Sequence, residues 1–288
     1  MLRLRTALLP LCVLWALFSC QKINLDEDVA PETTSSGNLT INVSQIENTP
    51  FLAYTRTELA DACTRLNFAV YNTLGTRVKQ VNQQVGNIGF GSASFQLEEG
   101  DYQLVVLAHS SSGNPTMTNP AKIQFTNTQG FTDTFFCYDD TLKIGKDPVK
   151  LDLKLNRIVS LCRFFITDDY PADANKIKFY YTGGSGAFDA RTGLGCVNSK
   201  QEQTFSLTSG QKQFDLYTFL HNIEGTIRLK VTFYDRSDNV LRECTFDVPM
   251  KQNHITHLPY SYIADEIGKE GVTITINTEW NPSLQVEF

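Results

Sequence analysis

The amino-acid sequence predicts an all-β protein of two tandem antiparallel β-sandwiches. The clearest observation is strict alternation of apolar and polar residues, as in "VKLDLKL" (149–155) and "TIRLKVTFY" (226–234). A period of two gives each strand one buried face and one solvent face. Turn-forming clusters such as "EEGD", "SSSGNPT" and "DRSDN" separate these segments, and helical periodicity is almost absent. Many short strands divided by turns are typical of β-sandwiches.

The predicted strands form two blocks. "GKDPVK" interrupts the pattern near Asp147 and Pro148, so we place a domain boundary there and predict domains at 39–146 and 147–288. One segment, "TRTELADACTRL" (55–66), could be a short helix or a long crossing loop. The first block contains "LTINV" (39–43), "RLNFAVYN" (65–72), "ASFQL" (93–97), "DYQLVVLAH" (101–109), "KIQF" (122–125) and "DTFFCY" (133–138). The second block contains the two alternating segments quoted above, at 149–155 and 226–234. It also contains "RIVSLCRFFIT", "KIKFYYT", "QTFSL", "QFDLYTFL", "VLRECTFDV", "HITHLPY" and "VTITI".

The N-terminus has the pattern of an export signal. Two arginines precede an apolar run from Ala7 to Phe18, which is shorter than the roughly 20 residues that span a bilayer. The step "LFSC" at its end looks like a bacterial lipobox, with residues 1–19 as signal peptide and Cys20 as the acylated first residue. Residues 20–38 are acidic and then rich in Ser and Thr, a composition that favours a flexible, lipidated tether. The alternative is an ordinary signal peptide with an incidental cysteine.

Charge and cysteine content limit the possible functions. The net charge is -6, from Lys+Arg 25 against Asp+Glu 31, and no basic run gives the footprint of a nucleic-acid-binding protein. Five cysteines remain after Cys12 and Cys20 are set aside, and none form a C-x-x-C pair, so no zinc ribbon or thioredoxin-like site is predicted. A disulfide is possible among them, with its pairing undetermined; they are Cys63, Cys137, Cys162, Cys196 and Cys244.

No catalytic or metal-binding constellation stands out, and no cofactor is predicted. "GGSGA" (183–187) approaches a nucleophile elbow around Ser185, but it lacks the last glycine and a following helix, so a glycine-rich loop is favoured. His254 and His257 would point to opposite faces of a strand and therefore would not share a metal. The pairs Asp139-Asp140 and Asp168-Asp169 have the spacing of turn residues rather than of an acid and base pair.

Several strand motifs resemble a known family. "LEEGDYQLVVLAH" (97–109) is similar to the Gly-x-Tyr strand of transthyretin-like sandwiches, and "RLNFAVYNTLGTRV" (65–78) resembles the strand with which such fimbrillin domains begin. "KLDLKLNRIVSLCRFFIT" (150–167), "FDVPMKQNHITHLPY" (246–260) and "VTITINTEWNPSLQVEF" (272–288) resemble the second domain of that superfamily. The glycine that the family has after the Asn-His-x-Thr step is replaced by "HLPYSY". The chain is thus similar to the FimB-like fimbrial subunit family, the lipoprotein anchor subunits of type V fimbriae in Bacteroidales.

The resemblance implies a tethering role. An anchor subunit keeps its lipid, here palmitate or a similar acyl chain on Cys20, and ends the pilus at the outer membrane, facing the exterior. Its expected partners are other fimbrial subunits, joined by β-strand addition, and a host or bacterial surface ligand is possible. Polymerising relatives are instead cut after an arginine in an early loop, where Arg56 and Arg65 lie. Asp140-Thr141-Leu142 fits the short O-glycosylation pattern of Bacteroidetes-type bacteria, with Thr141 as the acceptor.

Three rival functions remain open. The chain could be a polymerising stalk or tip subunit, matured by cleavage after Arg56 or Arg65. It could be a stand-alone glycan-binding lipoprotein, for which Tyr180-Tyr181 and Tyr260 with Tyr262 would be the aromatic platforms. An enzyme that uses Ser185 is the least supported of the three.

Overall fold

A computed structural model describes residues 37–46, 59–126, 130–207, 211–268 and 271–275. Within these residues nearly all regular structure is β-strand, and α1 (Leu59–Ala62) is the one helix. The prediction of an all-β sandwich protein is confirmed. The predicted signal peptide and residues 20–36 of the predicted tether, including Cys20, together with Arg56, lie outside the described residues. No helix in the described part of the chain has the length and apolarity that a membrane span requires.

The first domain is a sandwich whose strands follow the order β3-β2-β5-β8-β9-β1-β4. Its core takes alternate residues from both layers, such as Ile41, Phe68, Val106 and Phe135, all nearly or fully buried. The strands are β1 (Leu39–Ile46), β2 (Arg65–Asn72), β3 (Arg77–Gln84), β4 (Ser92–Phe95), β5 (Gly100–His109), β6 (Thr116–Asn119), β7 (Lys122–Gln124), β8 (Thr134–Ile144) and β9 (Val149–Arg157).

The division between the domains falls one strand later than the sequence suggested. β9 pairs in parallel with β1 over its whole length, and Leu155 lies in the core of the first domain. The turn at Asp147 and Pro148 predicts a boundary at residue 147, which would put this strand in the second domain. That turn is the β8–β9 connection, and the chain enters the second domain only after Arg157.

The second domain is a sandwich of two separate sheets, in the orders β15-β10-β18-β19, with β20 also on β18, and β14-β11-β16-β17. Aromatic side chains dominate its core, and Phe164, Phe179, Phe233 and Tyr260 are fully buried there. The strands are β10 (Ser160–Ile166), β11 (Ala174–Gly184), β12 (Ala187–Asp189), β13 (Leu194–Gly195), β14 (Ser199–Ser206), β15 (Gln213–Thr218), β16 (Glu224–Asp235), β17 (Val240–Lys251), β18 (Ile255–Ser261), β19 (Glu266–Ile267) and β20 (Thr273–Thr275).

A small sheet of order β13-β12-β7-β6 joins the two domains. β7 of the first domain pairs with β12 of the second, with Ile123 opposite Phe188. Beneath it a third apolar cluster combines Tyr71 and Leu107, from the outward faces of β2 and β5, with Phe188 and Phe219. β2 and β5 are consequently buried on both faces, since one face packs in the domain core and the other against the linking sheet.

The segment predicted as a short helix or a crossing loop is described only from residue 59. There α1 forms a single turn, and Cys63 donates its backbone N–H to the carbonyl of Leu59 at 3.1 Å. β2 begins at Arg65 directly afterwards. The short-helix alternative is therefore the one that the described residues contain.

Candidate functional site

β1, the first strand after the predicted tether, is the centre of the candidate site. It lies between β4, which is antiparallel to it, and β9, which is parallel. Leu39 and Ile41 point into the first core and are fully buried. Without β1 a groove would open between β4 and β9, with unpaired backbone groups on both sides and apolar pockets at alternate positions.

The start of β1 is fixed by two residues. The side-chain amide of Asn38 donates to the carbonyl of Leu97 at 2.8 Å, while the backbone N–H of Leu97 donates to Asn38 Oδ1 at 2.9 Å. This pair of bonds continues the β1–β4 ladder by one step. At Gly37 a Cβ atom would stand 2.2 Å from the carbonyl oxygen of Phe95. Only glycine fits there without a shift of the backbone.

The outer face of β1 carries a row of hydrogen bonds to its neighbours. Asn42 Nδ2 donates to Asp152 Oδ1 on β9 at 3.1 Å, and Ser92 on β4 donates to Asn42 Oδ1 at 2.8 Å. Ser44 Oγ donates to the carbonyl of Leu153 on β9 at 3.1 Å. β1 is thus bound through its backbone, its apolar face and its polar face together.

Arg65 is the predicted cleavage site that the structure describes. It is the first residue of β2, with Gln84 opposite on β3 and His109 opposite on β5. Its guanidinium donates to the carbonyl of Ser112 at 2.9 Å. A protease binds its substrate as an extended, unpaired segment, and the next residue, Leu66, is fully buried. Cleavage after Arg65 would therefore require β2 to separate from both neighbours.

Thr141 lies on an exposed bulge of β8. Gln103 on β5 faces two residues there, because the pairing passes from Leu104 with Asp139 to Tyr102 with Leu142. Asp139 Oδ1 accepts from both the backbone N–H and the hydroxyl of Thr141, at 2.8 and 2.7 Å. The hydroxyl is on the surface, as an acceptor of O-glycosylation must be. Glycosylation itself stays a prediction.

Ser185 has no access to a substrate. It is fully buried, and its hydroxyl donates to the carbonyl of Ala187. The same oxygen accepts the backbone N–H groups of Ala187 at 3.2 Å and Val197 at 3.1 Å. Its role is to close the loop between β11 and β12. Ser185 is therefore part of a glycine-rich loop and not the nucleophile of a strand-turn-helix elbow.

The histidines and aspartates considered in the sequence analysis lie on strands and turns of the second domain and of β8. His254 Nδ1 lies 2.7 Å from the carbonyl of Gln252, and His257 sits half-buried on β18. The described residues contain no cluster of His, Cys, Asp and Glu suited to a metal ion. Burial alone would raise the pKa of Asp168, but hydrogen bonds from Ser261 and two backbone N–H groups outweigh it and hold that pKa below its usual range.

The tyrosines proposed as glycan platforms are mostly internal. Tyr181 and Tyr260 are almost fully buried in the second core, and Tyr262 is 8% exposed. Tyr180 alone keeps a half-exposed ring, and it faces outward from β11. Stacking against a sugar requires an exposed aromatic face, so three of the four positions are excluded.

The five described cysteines are free thiols. Burial raises the pKa of Cys63 and of Cys162 to about 12, which keeps both thiols protonated. Cys196 is the one that lies on the surface.

A buried polar network beside β2 was not predicted. His109 Nε2 lies 2.8 Å from Asn67 Oδ1, and both side chains are fully buried. The amide of Asn67 donates to Asn82 at 2.9 Å and to Asn114 at 3.0 Å. Because that amide uses its hydrogens there, its oxygen must accept a hydrogen from His109. No sequence signal marks this network except a histidine at the end of an apolar run.

Comparison with known families identifies the class. The family of fimbrillin-A associated anchor proteins Mfa1 and Mfa2 matches residues 27–286. The chain belongs to this family. It is therefore a fimbrial, cell-surface protein with a structural role rather than an enzyme, and other fimbrial subunits are its expected partners.

Several solved structures are similar to this chain, and the first of those described here shares its fold. A protein from Bacteroides thetaiotaomicron, proposed to bind polysaccharides, shares 9% identity with a TM-score of 0.50, over 84% of this chain and 96% of its own. The tip fimbrial protein Mfa3 from Porphyromonas gingivalis shares 11% identity with a TM-score of 0.44, over 82% and 97%. A proposed adhesin from Bacteroides ovatus shares 15% identity with a TM-score of 0.49, over 72% and 82%. No curated protein matches the chain in sequence.

Proposed function

We propose that this protein is a lipid-anchored fimbrial subunit that tethers or caps a pilus at the outer membrane, with Cys20 as the attachment point. The observation that carries the proposal is the match of residues 27–286 to a family of anchor proteins. A lipobox-like step at Cys20, seven residues before the matched region begins, would supply the means of attachment.

The spacing between Cys20 and the first strand suits a tether. Asn38 follows Cys20 by 18 residues, which at roughly 3.4 Å per extended residue gives a reach of about 60 Å. The first domain could then stand clear of the lipid headgroups and meet a neighbouring subunit.

Contact with that neighbour would use strand addition. Such contact requires a sheet edge whose backbone groups are unpaired. In the described part of the chain, β3 of the first domain and β14 of the second each pair on one side only. In the uncut chain β1 fills the groove between β4 and β9; an anchor that is never cut keeps it there, whereas a subunit cut after Arg56 or Arg65 would be free to release it.

The polymerising alternative differs in where the mature chain begins. N-terminal sequencing of the surface protein would find a blocked, acylated Cys20 in an anchor. Cleavage after Arg56 or Arg65 would give chains that start at Thr57 or Leu66. The paired backbone of Arg65 leaves Arg56 as the better candidate for such a cut.

Cys20 can be tested with a matched cysteine control. Cells that express the protein would be grown with labelled palmitate, as wild type, Cys20→Ala and Cys196→Ser. We expect label on wild type and on Cys196→Ser, and none on Cys20→Ala. Label that persists in Cys20→Ala would refute lipid attachment at this residue.

The tethering role can be tested by immunogold electron microscopy of the same strains. An anchor gives label at the bases of filaments in wild type, and filaments are shed or lengthened in Cys20→Ala. Label along the shafts would identify a stalk subunit. Surface label without filaments would contradict the fimbrial role and favour a stand-alone glycan-binding lipoprotein.

A further inference from the structure

Any pull on the membrane tether enters the first domain through β1. The chain arrives from Cys20 at Gly37 and Asn38, and β1 starts at Leu39. If Cys20 is held in the membrane, as proposed above, and a neighbouring subunit holds the second domain, tension acts between the start of β1 and the exit of the chain from the first domain.

The pairing of β1 with β9 determines how that tension acts. The two strands are parallel, from Leu39 opposite Val149 to Ile46 opposite Leu155. The tether pulls at the Leu39 end, while the chain leaves for the second domain at the opposite end, after Arg157. The two forces therefore slide the strands along each other. Hydrogen bonds between parallel strands are evenly spaced along the pair, so sliding loads them together rather than one after another.

Side-chain hydrogen bonds reinforce the β1–β9 pair, through which the tension would pass. Asn42 bonds to Asp152 at 3.1 Å and Ser44 to the carbonyl of Leu153 at 3.1 Å, both across the β1–β9 boundary. On the other side, Asn38 makes its two bonds to Leu97 at the point where the tether enters. A pull from the tether has to break these bonds together with the ladder.

We propose that β1 and β9 form a shear clamp that keeps the first domain folded when a filament pulls on the membrane anchor. The second domain repeats the arrangement, since its first strand, β10, pairs in parallel with β18 from Leu161 opposite Ile255 to Ile166 opposite Tyr260. Each domain thus joins its first strand to a late strand in the same direction.

The clamp predicts that the force needed to unfold the first domain depends on the direction of pulling. Mature protein (20–288) with Cys196→Ser would be held in optical tweezers by Cys20 and by a C-terminal handle, which shears β1 against β9. In a second arrangement the other handle would be Lys146→Cys, on the exposed β8–β9 turn. Tension then acts on the Leu39–Val149 end alone and peels the strands apart bond by bond. The length of chain released identifies the domain that opens.

We expect the first domain to open at clearly higher force in the sheared arrangement than in the peeled one. Equal forces, or a weaker sheared arrangement, would overturn the clamp. Forced unfolding is governed by the unfolding rate, so rates at a fixed force provide the comparison. The two substitutions that this directional test uses, Cys196→Ser and Lys146→Cys, are at exposed positions, and both pulling arrangements compare the same folded domain.

A side-chain variant tests the same clamp more finely. Asn42→Ala removes the bonds to Asp152 and from Ser92. It should open at least about fivefold faster in the sheared arrangement, the change that corresponds to roughly 1 kcal/mol for one lost hydrogen bond. Asn239→Ala is the matched control, because it removes a bond of 2.9 Å to Asp235 in the β16–β17 turn of the second domain. An unchanged rate for Asn42→Ala, or an equal change for Asn239→Ala, would contradict the role of the Asn42 side chain in the clamp.

Failure of the clamp and failure of the anchor can be told apart. The tweezers experiment uses protein without lipid, so a result against the clamp leaves attachment at Cys20 standing. Absence of palmitate label on Cys20 would refute the anchor and leave the directional strength of the first domain as measured.

Discussion

Acid should weaken the first domain through His109. The ring is fully buried, its Nε2 hydrogen is directed at Asn67, and its Nδ1 accepts the backbone N–H of Ser111 at 3.1 Å. A proton on Nδ1 would face another donor. Burial, followed by the positive charge of Arg65, lowers the pKa of His109 to about 3.

The sign of the effect follows from linkage. His109 is neutral in the folded protein down to about pH 3, whereas in the unfolded chain it takes up a proton near its ordinary pKa of about 6.5. Its contribution to stability is fully present above that value and is lost as the pH falls toward 3. At about 1.36 kcal/mol per pH unit, the loss is roughly 2 kcal/mol at pH 5 and on the order of 4 kcal/mol near pH 3.

Urea unfolding at pH 7 and pH 5 measures this loss. Wild type should lose about 2 kcal/mol more of its unfolding free energy than His109→Gln, which cannot titrate. His257→Gln, at a half-buried position of the second domain, should keep the wild-type loss in the first domain. The same pH dependence in wild type and His109→Gln, or a His109 pKa near 6.5 by NMR titration, would refute the argument.

Three further predictions concern packing, charge and thiol access. Gly37→Ala should lower the unfolding free energy by about 1–3 kcal/mol, since a Cβ there meets backbone, while Gly113→Ala, with open space around it, should change little in the same urea assay. Asp133→Asn should cost about 3 kcal/mol, because the side chain of Arg157 is only 2% exposed and would keep its charge without its carboxylate; a loss under about 1 kcal/mol would contradict this. Among the five described cysteines, maleimide should label Cys196 first in the folded protein, as mass spectrometry would show; faster labelling of Cys63 or Cys162 would count against the structure.

The sequence reveals strands more readily than their partners. Alternation in residues 149–155 predicted β9 correctly, yet it reports only that one face is buried and says nothing about which sheet does the burying. β9 was assigned to the wrong domain for that reason. β3 was missed, because an edge strand paired on one side carries mostly polar residues, here "RVKQVNQQ".

One sequence pattern indicates that the outer face of the first domain is covered. Leu104 to Ala108 of β5 form an unbroken apolar run in which every residue is fully buried. A strand buried on both faces has this composition, whereas a sandwich strand with a solvent face alternates. The run therefore indicates that something covers the outer face. The covering elements are the sheet that contains β7 and β12, together with Phe219. Their position depends on long-range packing, which no local sequence pattern encodes.

The position of β1 connects the fold to the proposed role. Its outer-face bond from Asn42 to Asp152 joins residues 110 positions apart, so β1 is secured by the last strand of its own domain. The first domain is complete only when that long loop has closed, and pairing of such separation is slow to form. Once formed, it is also the pairing on which tension from the proposed membrane anchor would act lengthwise. A subunit that held β1 by weaker, one-sided contacts could exchange it; paired on both sides and bonded on both faces, this strand is suited to remain with its own chain.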